Sequence, residues 1–355
     1  MQKVEIQTQR RGDTGKIRHL SDYKSKLCVL VSSCLKLVSF VLLFPALSFS
    51  SENYDFVVAP DGSGNFTTIQ QAIDASKAFP DSRVTIFVKN GTYKEKLVVP
   101  SCNTQLSIVG ESADQTVISF DDYFEKINRG RNSTFYTYTL KVEANDFILE
   151  NITVENTAGP VGQAVALHVE GDRCVFRNCR FLGNQDTVYA AGRFSRQYFS
   201  DCSIEGTTDF IFGEATALFE SCKLHCKANS FITAASTPVG KPFGFVFLNC
   251  KITAASGVNK VFLGRPWRSF AKVAYLNCEM GNFICPEGWD NWSKTENEKT
   301  ARFTEYNNSG AGADTRQRVG WSVKLSSDEA SKFNKENIFA PIGWENSSGN
   351  KWYEL

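Results

Sequence analysis

The segment Cys174-Val175-Phe176-Arg177-Asn178-Cys179 decides the fold, because the same theme returns through the middle of the chain. Each copy is a short run of Val, Leu, Ile and Phe that ends in a small polar residue and a small apolar one. The last residues of these runs lie 20 to 28 residues apart and are Ile152, Cys179, Cys202, Cys222, Cys250 and Cys278. One strand-like run in each period of this length is typical of a solenoid. Because no helical periodicity separates the runs, we predict an all-β fold, a parallel β-helix in which each coil stacks on the previous one.

The five cysteines at these positions have two interpretations. They are either a disulfide framework of a secreted protein, or small apolar residues that fill an inward face. We favour the filler interpretation. Nine cysteines follow residue 50, an odd number, so at least one of them is unpaired. We expect the Asn-Cys pairs to form an internal ladder.

The two ends of the repeat have a different character. Residues 66–79 carry apolar residues at helical spacing, and Thr67 or Thr68 is placed to cap such a helix. We predict that this helix covers the open N-terminal end of the solenoid. After the repeat fades, residues 290–355 are predicted to form loops and short helices on the outside. Early coil strands are predicted at 84–88 and 106–110.

Charge is unevenly distributed over the 355 residues. Residues 1–50 carry eight Lys or Arg and three Asp or Glu, which leaves a net charge of −4 on the rest of the chain. Nothing there attracts a polyanion in bulk, so nucleic acid is not an expected partner. The remaining chain is long enough for one large domain with its own core, and we assign residues 51–355 to it.

Residues 1–50 have the features of a targeting segment. Basic residues precede an apolar stretch from Leu37 to Phe49, and small residues follow it. This stretch is short for a membrane span, so a cleaved secretory signal is favoured. The alternative is an uncleaved signal anchor that begins at Leu27. Seven Asn-x-Ser/Thr sequons fit a secreted glycoprotein, and they lie at Asn65, Asn90, Asn132, Asn151, Asn291, Asn307 and Asn346.

Two aspartates within long motifs indicate the chemistry. Asp186 lies in Gly183-Asn184-Gln185-Asp186-Thr187-Val188-Tyr189, and Asp209 in Gly206-Thr207-Thr208-Asp209-Phe210-Ile211-Phe212-Gly213. Leu263-Gly264-Arg265-Pro266-Trp267 follows downstream. One carboxylate can attack an ester carbonyl, while the other, kept protonated, donates to the leaving group and then takes a proton from water. A guanidinium beside one aspartate is expected to lower its pKa, and burial to raise that of the other.

Other ester-cleaving arrangements are poorly supported. The chain has no Gly-x-Ser-x-Gly stretch, and only His168 and His225 follow residue 50. No His and Cys pattern suggests a metal, and no cofactor is expected. Gln163 and Gln185 are candidate neutral donors to an oxyanion. An isolated Asp more often caps a turn, but two Asp, two Gln and one Arg in matching motifs make that alternative weak.

These motifs together resemble the pectin methylesterases (pectinesterases), in the family's order. The matching segments, which extend from about residue 54 to the C-terminus, are Asp61–Gln70, Gly91–Glu95, Gln163–Leu167, Gln185–Thr187, Asp209–Gly213 and Leu263–Trp267. The resemblance implies a right-handed single-stranded parallel β-helix that removes methyl esters from homogalacturonan (pectin) and releases methanol. It makes Asp209 the nucleophile and Asp186 the acid/base. Gln163 and Gln185 would hold the oxyanion, and Arg265 would orient Asp209.

Ring-bearing residues fit a sugar polymer, because C–H faces of sugars stack on aromatic rings. By resemblance, the substrate-lining positions are Tyr189, Phe212, Trp267 and Trp289, with Phe135 added by a looser alignment. The resemblance further implies a secreted, monomeric cell-wall enzyme, and it admits a proteinaceous pectinesterase inhibitor as a partner.

The sequence departs from the family pattern in two places. We expect no inhibitor-like helical pro-region, which many plant members carry. Asn184 stands where an aromatic residue often precedes the Gln-Asp pair, which leaves the substrate preference there open. The competing hypotheses are a polygalacturonase or lyase on the same fold, and a catalytically inactive cell-wall binding protein.

Overall fold

The computed structural model describes residues 54–341 and 351–355, and within them the chain winds into three parallel sheets. Successive strands along the chain enter the three sheets in turn. The winding is right-handed, the usual hand of crossovers between parallel strands. The predicted parallel β-helix is thereby confirmed. The segment that is predicted to be a targeting signal lies outside the described residues.

Sheet I is the longest sheet of the described region. Its strands, in spatial order, are β1 (Phe56–Val58), β2 (Val84–Val88), β5 (Leu106–Gly110), β8 (Ile148–Glu150), β11 (Cys174–Arg177), β14 (Arg196–Ser200), β17 (Thr216–Glu220), β20 (Phe245–Leu248), β23 (Lys272–Leu276), β25 (Arg302–Tyr306) and β26 (Val323–Lys324). Strands β2 and β5 coincide with the two early coil strands that the sequence predicts.

Sheets II and III complete each coil. Sheet II contains β3 (Gly91–Tyr93), β6 (Thr116–Phe120), β9 (Thr153–Asn156), β12 (Arg180–Leu182), β15 (Ser203–Gly206), β18 (Lys223–Cys226), β21 (Lys251–Ala254) and β24 (Glu279–Met280). Sheet III contains β4 (Leu97–Val99), β7 (Leu140–Val142), β10 (Leu167–Val169), β13 (Val188–Ala190), β16 (Ile211–Gly213), β19 (Phe231–Ala235) and β22 (Phe262–Pro266).

Helices are few and short in the described region. The α-helices are α1 (Ile69–Ala75), α2 (Phe124–Ile127), α3 (Ser327–Ala330) and α4 (Lys335–Ile338), and the 3₁₀ helices are Gly130–Tyr136, Thr295–Lys299, Ala311–Ala313 and Trp352–Glu354. None of the helices in this region is long and apolar enough to cross a membrane.

The predicted cysteine column runs through the interior. Arg180 pairs with Ser203, Ser203 with Lys223 and Lys223 with Lys251, so the residues just before them stack on successive coils. The stacked residues are Ile152, Cys179, Cys202, Cys222, Cys250 and Cys278, each no more than 1% exposed. All nine cysteines of the described region are free thiols, which confirms the filler interpretation.

The residues that precede these cysteines do not form an internal ladder, contrary to the prediction. They have positive φ, between 48° and 56°, and lie at the corner between sheets I and II. Asn178, Asn249 and Asn277 are exposed there. The reason is the left-handed backbone, which Asn tolerates and which turns the side chain outward while the next residue points inward.

Aromatic rings form a second internal column beside the cysteines. Phe176, Phe199, Phe219, Phe247 and Tyr275 stack with centroids 4.4–4.7 Å apart, the spacing of neighbouring strands. Each coil therefore contributes one ring to the same place in the core.

Helix α1 covers the N-terminal end, as predicted, although it is shorter than 66–79. Ile69, Ala72 and Ile73 are buried under it, and the Thr68 hydroxyl accepts the Gln71 N–H at 3.4 Å. The Glu95 carboxylate accepts two further amide hydrogens of the first turn. A carboxylate at this end also complements the helix dipole.

The C-terminal region continues the solenoid further than the sequence predicts. Strands β25 and β26 extend sheet I, and Asn307 has the corner φ of 49°. The repeat is hidden because Asn308 occupies the cysteine position, where its side chain accepts the Cys278 N–H at 2.9 Å. The predicted outer helices do follow, and Phe339, Trp352 and Tyr353 pack on the outer face of sheet I.

Candidate active site

The outer face of sheet III carries a row of side chains in register, which we call the floor column. It is formed by Lys141, His168, Tyr189, Phe212, Ala234 and Arg265, each paired with the next across neighbouring strands. Because the strands are parallel and in register, these side chains follow each other along the axis of the solenoid.

Asp186 and Asp209 occupy equivalent positions just before β13 and β16. Both residues have left-handed backbone, with φ of 64° and 49°, which non-glycine residues rarely adopt. The Asp186 N–H donates to Thr208 O at 3.1 Å, and the Asp209 N–H donates to Phe231 O at 2.8 Å. In a plain strand, Gln185 and Asp186 would point to opposite faces, and the left-handed backbone at Asp186 breaks that alternation.

Arg265 holds Asp209 through a two-pronged contact. Its Nε donates to Asp209 Oδ1 at 3.0 Å, and its Nη2 donates to Oδ2 at 2.6 Å. Paired N–H donors of this kind fix both the position and the orientation of a carboxylate. The predicted pairing is therefore present, across 56 residues of sequence.

The Arg265 guanidinium is itself clamped between two aromatic rings that are not among the predicted site residues. Its central carbon lies 4.0 Å from the Phe231 ring centroid and 3.8 Å from that of Trp292. Cation–π contacts on both faces limit the guanidinium to the plane in which it meets Asp209. Nothing in the sequence indicates which of Trp289 and Trp292 contacts Arg265. Phe231 could have been predicted, because its strand pairs with the strand that carries Arg265.

Burial raises the pKa of both aspartates, but by different amounts. The pKa of Asp186 lies well above its usual range, because the carboxyl is buried and the Asp209 carboxylate is nearby. Burial also raises the pKa of Asp209, and the hydrogen bonds and positive charge of Arg265 oppose that rise. The predicted net lowering of the Asp209 pKa is therefore wrong, whereas the predicted inequality holds: Asp186 retains its proton to higher pH.

Gln163 and Gln185 lie side by side on neighbouring coils. They form an isolated parallel bridge, and the Ala164 N–H donates to Gln185 O at 3.1 Å. Both side chains are half-buried, and within the described residues neither side-chain amide has a hydrogen-bond partner. Gln185 directly precedes Asp186 in the chain, so the bridge sets both glutamines on coils next to the carboxyl pair.

Four of the five predicted aromatic residues form a continuous surface. Tyr189 and Phe212 stack at 4.6 Å, Phe135 lies 5.1 Å from Tyr189, and Trp267 lies 6.0 Å from Phe212. These rings belong to one apolar cluster on the outer face of sheet III, to which Trp292 also contributes. The arrangement offers ring surfaces to a chain of sugars.

Trp289, the fifth predicted ring, does not line this surface. It is 1% exposed and packs in the core against Tyr275 and Phe303, and its indole N–H donates to Glu305. The physical reason is the backbone bridge between Trp289 and Gly264, which turns the ring inward at the last coils. Trp292, three residues later, joins the apolar cluster on the outer face of sheet III and lies over Arg265.

The remaining titratable residues do not form a competing site. His168 is 2% exposed beside the Tyr189 ring, and burial lowers its pKa. His225 lies on β18 of sheet II, where its ring meets Thr253. Among the described residues, no group of His, Cys, Asp and Glu side chains could hold a metal ion.

Comparisons with known proteins agree with this geometry. A family model described as Pectinesterase matches residues 55–340. Pectinesterase 31 of Arabidopsis thaliana is 41% identical over 292 residues, covering 80% of this chain and 92% of that protein. Other curated relatives are longer, and the chain spans about half of their length, 51% and 50% in two cases.

Solved structures give the same answer. Pectin methylesterase from carrot is 32% identical and has a TM-score of 0.77, over 83% of this chain and 96% of that one. A pectin methylesterase in complex with a hexasaccharide is 30% identical, with a TM-score of 0.73 over 82% and 98%. The aspartate pair, the arginine fork and the parallel β-helix all occur in a chain that these comparisons match along most of its length, and the chain belongs to the pectinesterase family.

Proposed function

We propose that this protein hydrolyses the methyl esters of homogalacturonan, releasing methanol and leaving pectate. The observation that carries the proposal is the unequal pair of buried aspartates: Arg265 donates two hydrogen bonds to Asp209, whereas Asp186 has no ion pair among the described residues. Beside the pair, the partly exposed rings of Phe135 and Trp267 flank the buried rings of Tyr189 and Phe212, a surface that suits a polysaccharide. The similar pectin methylesterase solved with a hexasaccharide supports a sugar polymer as the substrate.

In the first half of the reaction, an Asp209 carboxylate oxygen attacks the ester carbonyl carbon, and the carbonyl π electrons move to its oxygen. The side-chain amides of Gln163 and Gln185 donate hydrogen bonds to that oxyanion. When the carbonyl re-forms, the C–O bond to methoxide breaks, and protonated Asp186 supplies the proton of the methanol that leaves. An anhydride between Asp209 and the galacturonate remains.

In the second half, ionised Asp186 takes a proton from a water molecule, whose oxygen attacks the anhydride carbonyl. The bond to Asp209 breaks, which restores its carboxylate and leaves the galacturonic acid product. Asp186 is again protonated, so the pair is ready for another cycle. Arg265 favours Asp209 as the leaving carboxylate because it stabilises the anion in both halves.

We further propose that residues 51–355 form the catalytic domain of a secreted, monomeric cell-wall glycoprotein, preceded by a signal in residues 1–50. The apolar N-terminal stretch and the sequons support this location. A proteinaceous pectinesterase inhibitor is the proposed protein partner.

Methanol release from methyl-esterified pectin tests the activity. We expect the purified protein to release methanol without shortening the polymer, whereas a polygalacturonase or lyase would lower its viscosity and an inactive binding protein would release nothing. Asp209→Asn should reduce methanol release by at least about 10⁴-fold, because the nucleophile is lost.

Asp201→Asn is the matched control for Asp209→Asn. Asp201 also has a left-handed backbone, with φ of 55°, but it is an exposed corner residue far from the groove. Asn already occupies the equivalent corner at other coils, so this variant should keep normal activity. Near-normal turnover by Asp209→Asn would refute the assignment of the nucleophile.

A further inference from the structure

A second row of side chains runs parallel to the floor column and two residues further along each strand. Residues two apart on a strand face the same side of the sheet, so this row also belongs to the floor of the groove. Extending the strand register gives Glu143, Glu170, Ala191, Glu214, Ser236 and Trp267 in this row, which we call the rim row. Three of its first four members are glutamates.

The glutamates give one half of the groove a negative charge. Lys141 contacts both Glu143, at 2.7 Å, and Glu170, at 3.3 Å, so a single ammonium group serves two carboxylates. Glu170 Oε1 also lies 2.9 Å from His168 Nε2, and this contact, together with Lys141, lowers the pKa of the Glu170 carboxyl to about 2. Glu214 has no lysine or arginine contact within the described region.

Glu214 is fixed in place by the floor of the groove. Its Oε1 accepts the Gly192 N–H at 3.1 Å, and its Oε2 lies 3.5 Å from the Tyr189 hydroxyl. The Tyr189 ring in turn stacks on Phe212 at 4.6 Å. The carboxyl group is half-buried, and burial raises its pKa against the opposing hydrogen bonds from the Gly192 N–H and the Tyr189 hydroxyl. Above that pKa, its charge is screened less than that of a freely exposed glutamate.

At the other half of the groove, an arginine stands beside the rim row in place of the glutamates. There the rim row continues with Ser236 and Trp267, and the Arg268 guanidinium lies 4.7 Å from the Trp267 ring. Arg265 is on the same half of the sheet. Arg265 is paired with the Asp209 carboxylate, so Arg268, which has no carboxylate contact in the described region, supplies the unmatched positive charge of this half.

We propose that Glu214 makes the part of the groove floored by Tyr189 selective for methyl-esterified over free galacturonate. This inference rests on the proposed function and adds to it the methylation state of a neighbouring sugar. A free galacturonate carries a carboxylate, which the fixed Glu214 carboxylate repels. A methyl ester is neutral and pays no such penalty, so discrimination arises from repulsion of the wrong sugar.

The test measures inhibition by polygalacturonate, the fully de-esterified polymer, with highly methylated pectin as the substrate. Methanol release by the unaltered protein first establishes the activity, so a failure of the proposed function is recognised separately. In Glu214→Gln, which keeps the acceptor for Gly192, we expect polygalacturonate to inhibit about tenfold more strongly. The KM for highly methylated pectin should stay within about twofold, because neutral sugars do not sense the charge.

Glu205→Gln is the matched control, since Glu205 lies on β15 of sheet II and pairs with Lys227 at 3.2 Å. Glu205→Gln should leave both the inhibition constant of polygalacturonate and the KM for highly methylated pectin unchanged. If Glu214→Gln folds poorly, Glu170→Gln replaces it and should strengthen inhibition in the same direction. Unchanged inhibition in these variants, or an equal change in the inhibition constant and KM, would overturn the inference, because a merely structural effect moves both.

Discussion

At the scale of single residues, the site depends on how Arg265 divides two chemically identical carboxyl groups. Both aspartates are nearly buried, with 8% of Asp186 and 6% of Asp209 exposed, so burial raises the pKa of both carboxyl groups. The fork of Arg265 favours ionised Asp209 and leaves Asp186 as the acid. Two roles thus arise from one residue type through unequal surroundings.

Replacing Arg265 with Ala should move the acid limb of the pH–rate profile to higher pH. Without the guanidinium, the rise in the Asp209 pKa that burial causes is no longer opposed. Asp209 must be ionised to attack, so activity should appear only at higher pH than in the unaltered protein. Measuring kcat/KM for methanol release across pH checks this prediction. The acid limb reports the titration of the coupled aspartate pair. An acid limb at the same pH in both proteins would contradict the prediction.

Trp292 should behave as a positioning residue for that guanidinium. Its ring lies 3.8 Å from the Arg265 carbon, and its φ of 62° is strained for a tryptophan. We expect Trp292→Ala to lower kcat about tenfold, and Trp292→Phe to recover much of the loss because a ring face remains. Trp321→Phe, at a ring that packs on Phe303 at 5.5 Å, is the control for altered core packing. Equal activity of the Ala and Phe variants would argue against the clamp.

At the scale of elements, the corner between sheets I and II sets the coil. The repeated left-handed residue turns the chain by a fixed amount, and the next side chain enters the core. Asn and Asp adopt this backbone more readily than other residues that carry a side chain. The corner explains why a polar residue precedes each buried cysteine in the sequence.

Asn249 offers a direct test of the corner. It is exposed, its φ is 56°, and its side chain has no hydrogen bond within the described residues. Asn249→Ala should therefore lower the free energy of unfolding by about 1–2 kcal/mol, purely through backbone strain. Asn249→Gly should be close to neutral, because glycine adopts this backbone freely. Urea unfolding measures both; a stable Ala variant would show that the corner is not strained.

Much of this fold could be predicted from the spacing of buried residues, because stacking forces each coil to repeat the same inward position. Cys179 and Cys250, for example, are predicted from the sequence to point into the core, and both are buried there. The sequence does not predict the last coil, because Asn308 replaces the cysteine at its inward position. The Asn308 side chain accepts a hydrogen bond from the Cys278 N–H, where a cysteine would make apolar contacts. A repeat of apolar residues in the sequence does not reveal a position at which a polar residue takes over the inward place.

The candidate site divides in the same way. Asp209 and Arg265 could be paired from chemistry, because a buried carboxylate needs a cation and few were available in the motifs. The exchange of Trp289 for Trp292 could not be predicted. It depends on the bridge between Trp289 and Gly264, a contact between loop and strand for which the sequence carries no period.

At the scale of the whole molecule, the sequons differ in whether their nitrogen is accessible. Asn132 is exposed, and its side chain makes no hydrogen bond within the described residues. Asn291 is half-buried, and its Nδ2 donates to Glu298 at 2.6 Å, one residue before Trp292. A glycan there would break that bond and crowd the groove.

We therefore expect Asn132 to carry a glycan and Asn291 to remain unmodified when the protein is secreted from a plant cell. Mass spectrometry of proteolytic peptides, before and after enzymatic removal of N-glycans, gives the occupancy of each site. Asn132→Gln should remove one glycan without loss of methanol release. A fully occupied Asn291 in active protein would contradict the prediction.

The row of aromatic and charged side chains on sheet III has a consequence for how a polymer reaches the carboxyl pair. The row lies on the outer face of a sheet of seven parallel strands, which spans roughly 29 Å at the usual spacing. A polysaccharide settles onto such a face sideways and needs no free end to thread. Sugar units in the middle of a polysaccharide chain that is anchored at both ends, as in a swollen gel, are therefore as accessible to the enzyme as the units at the chain ends.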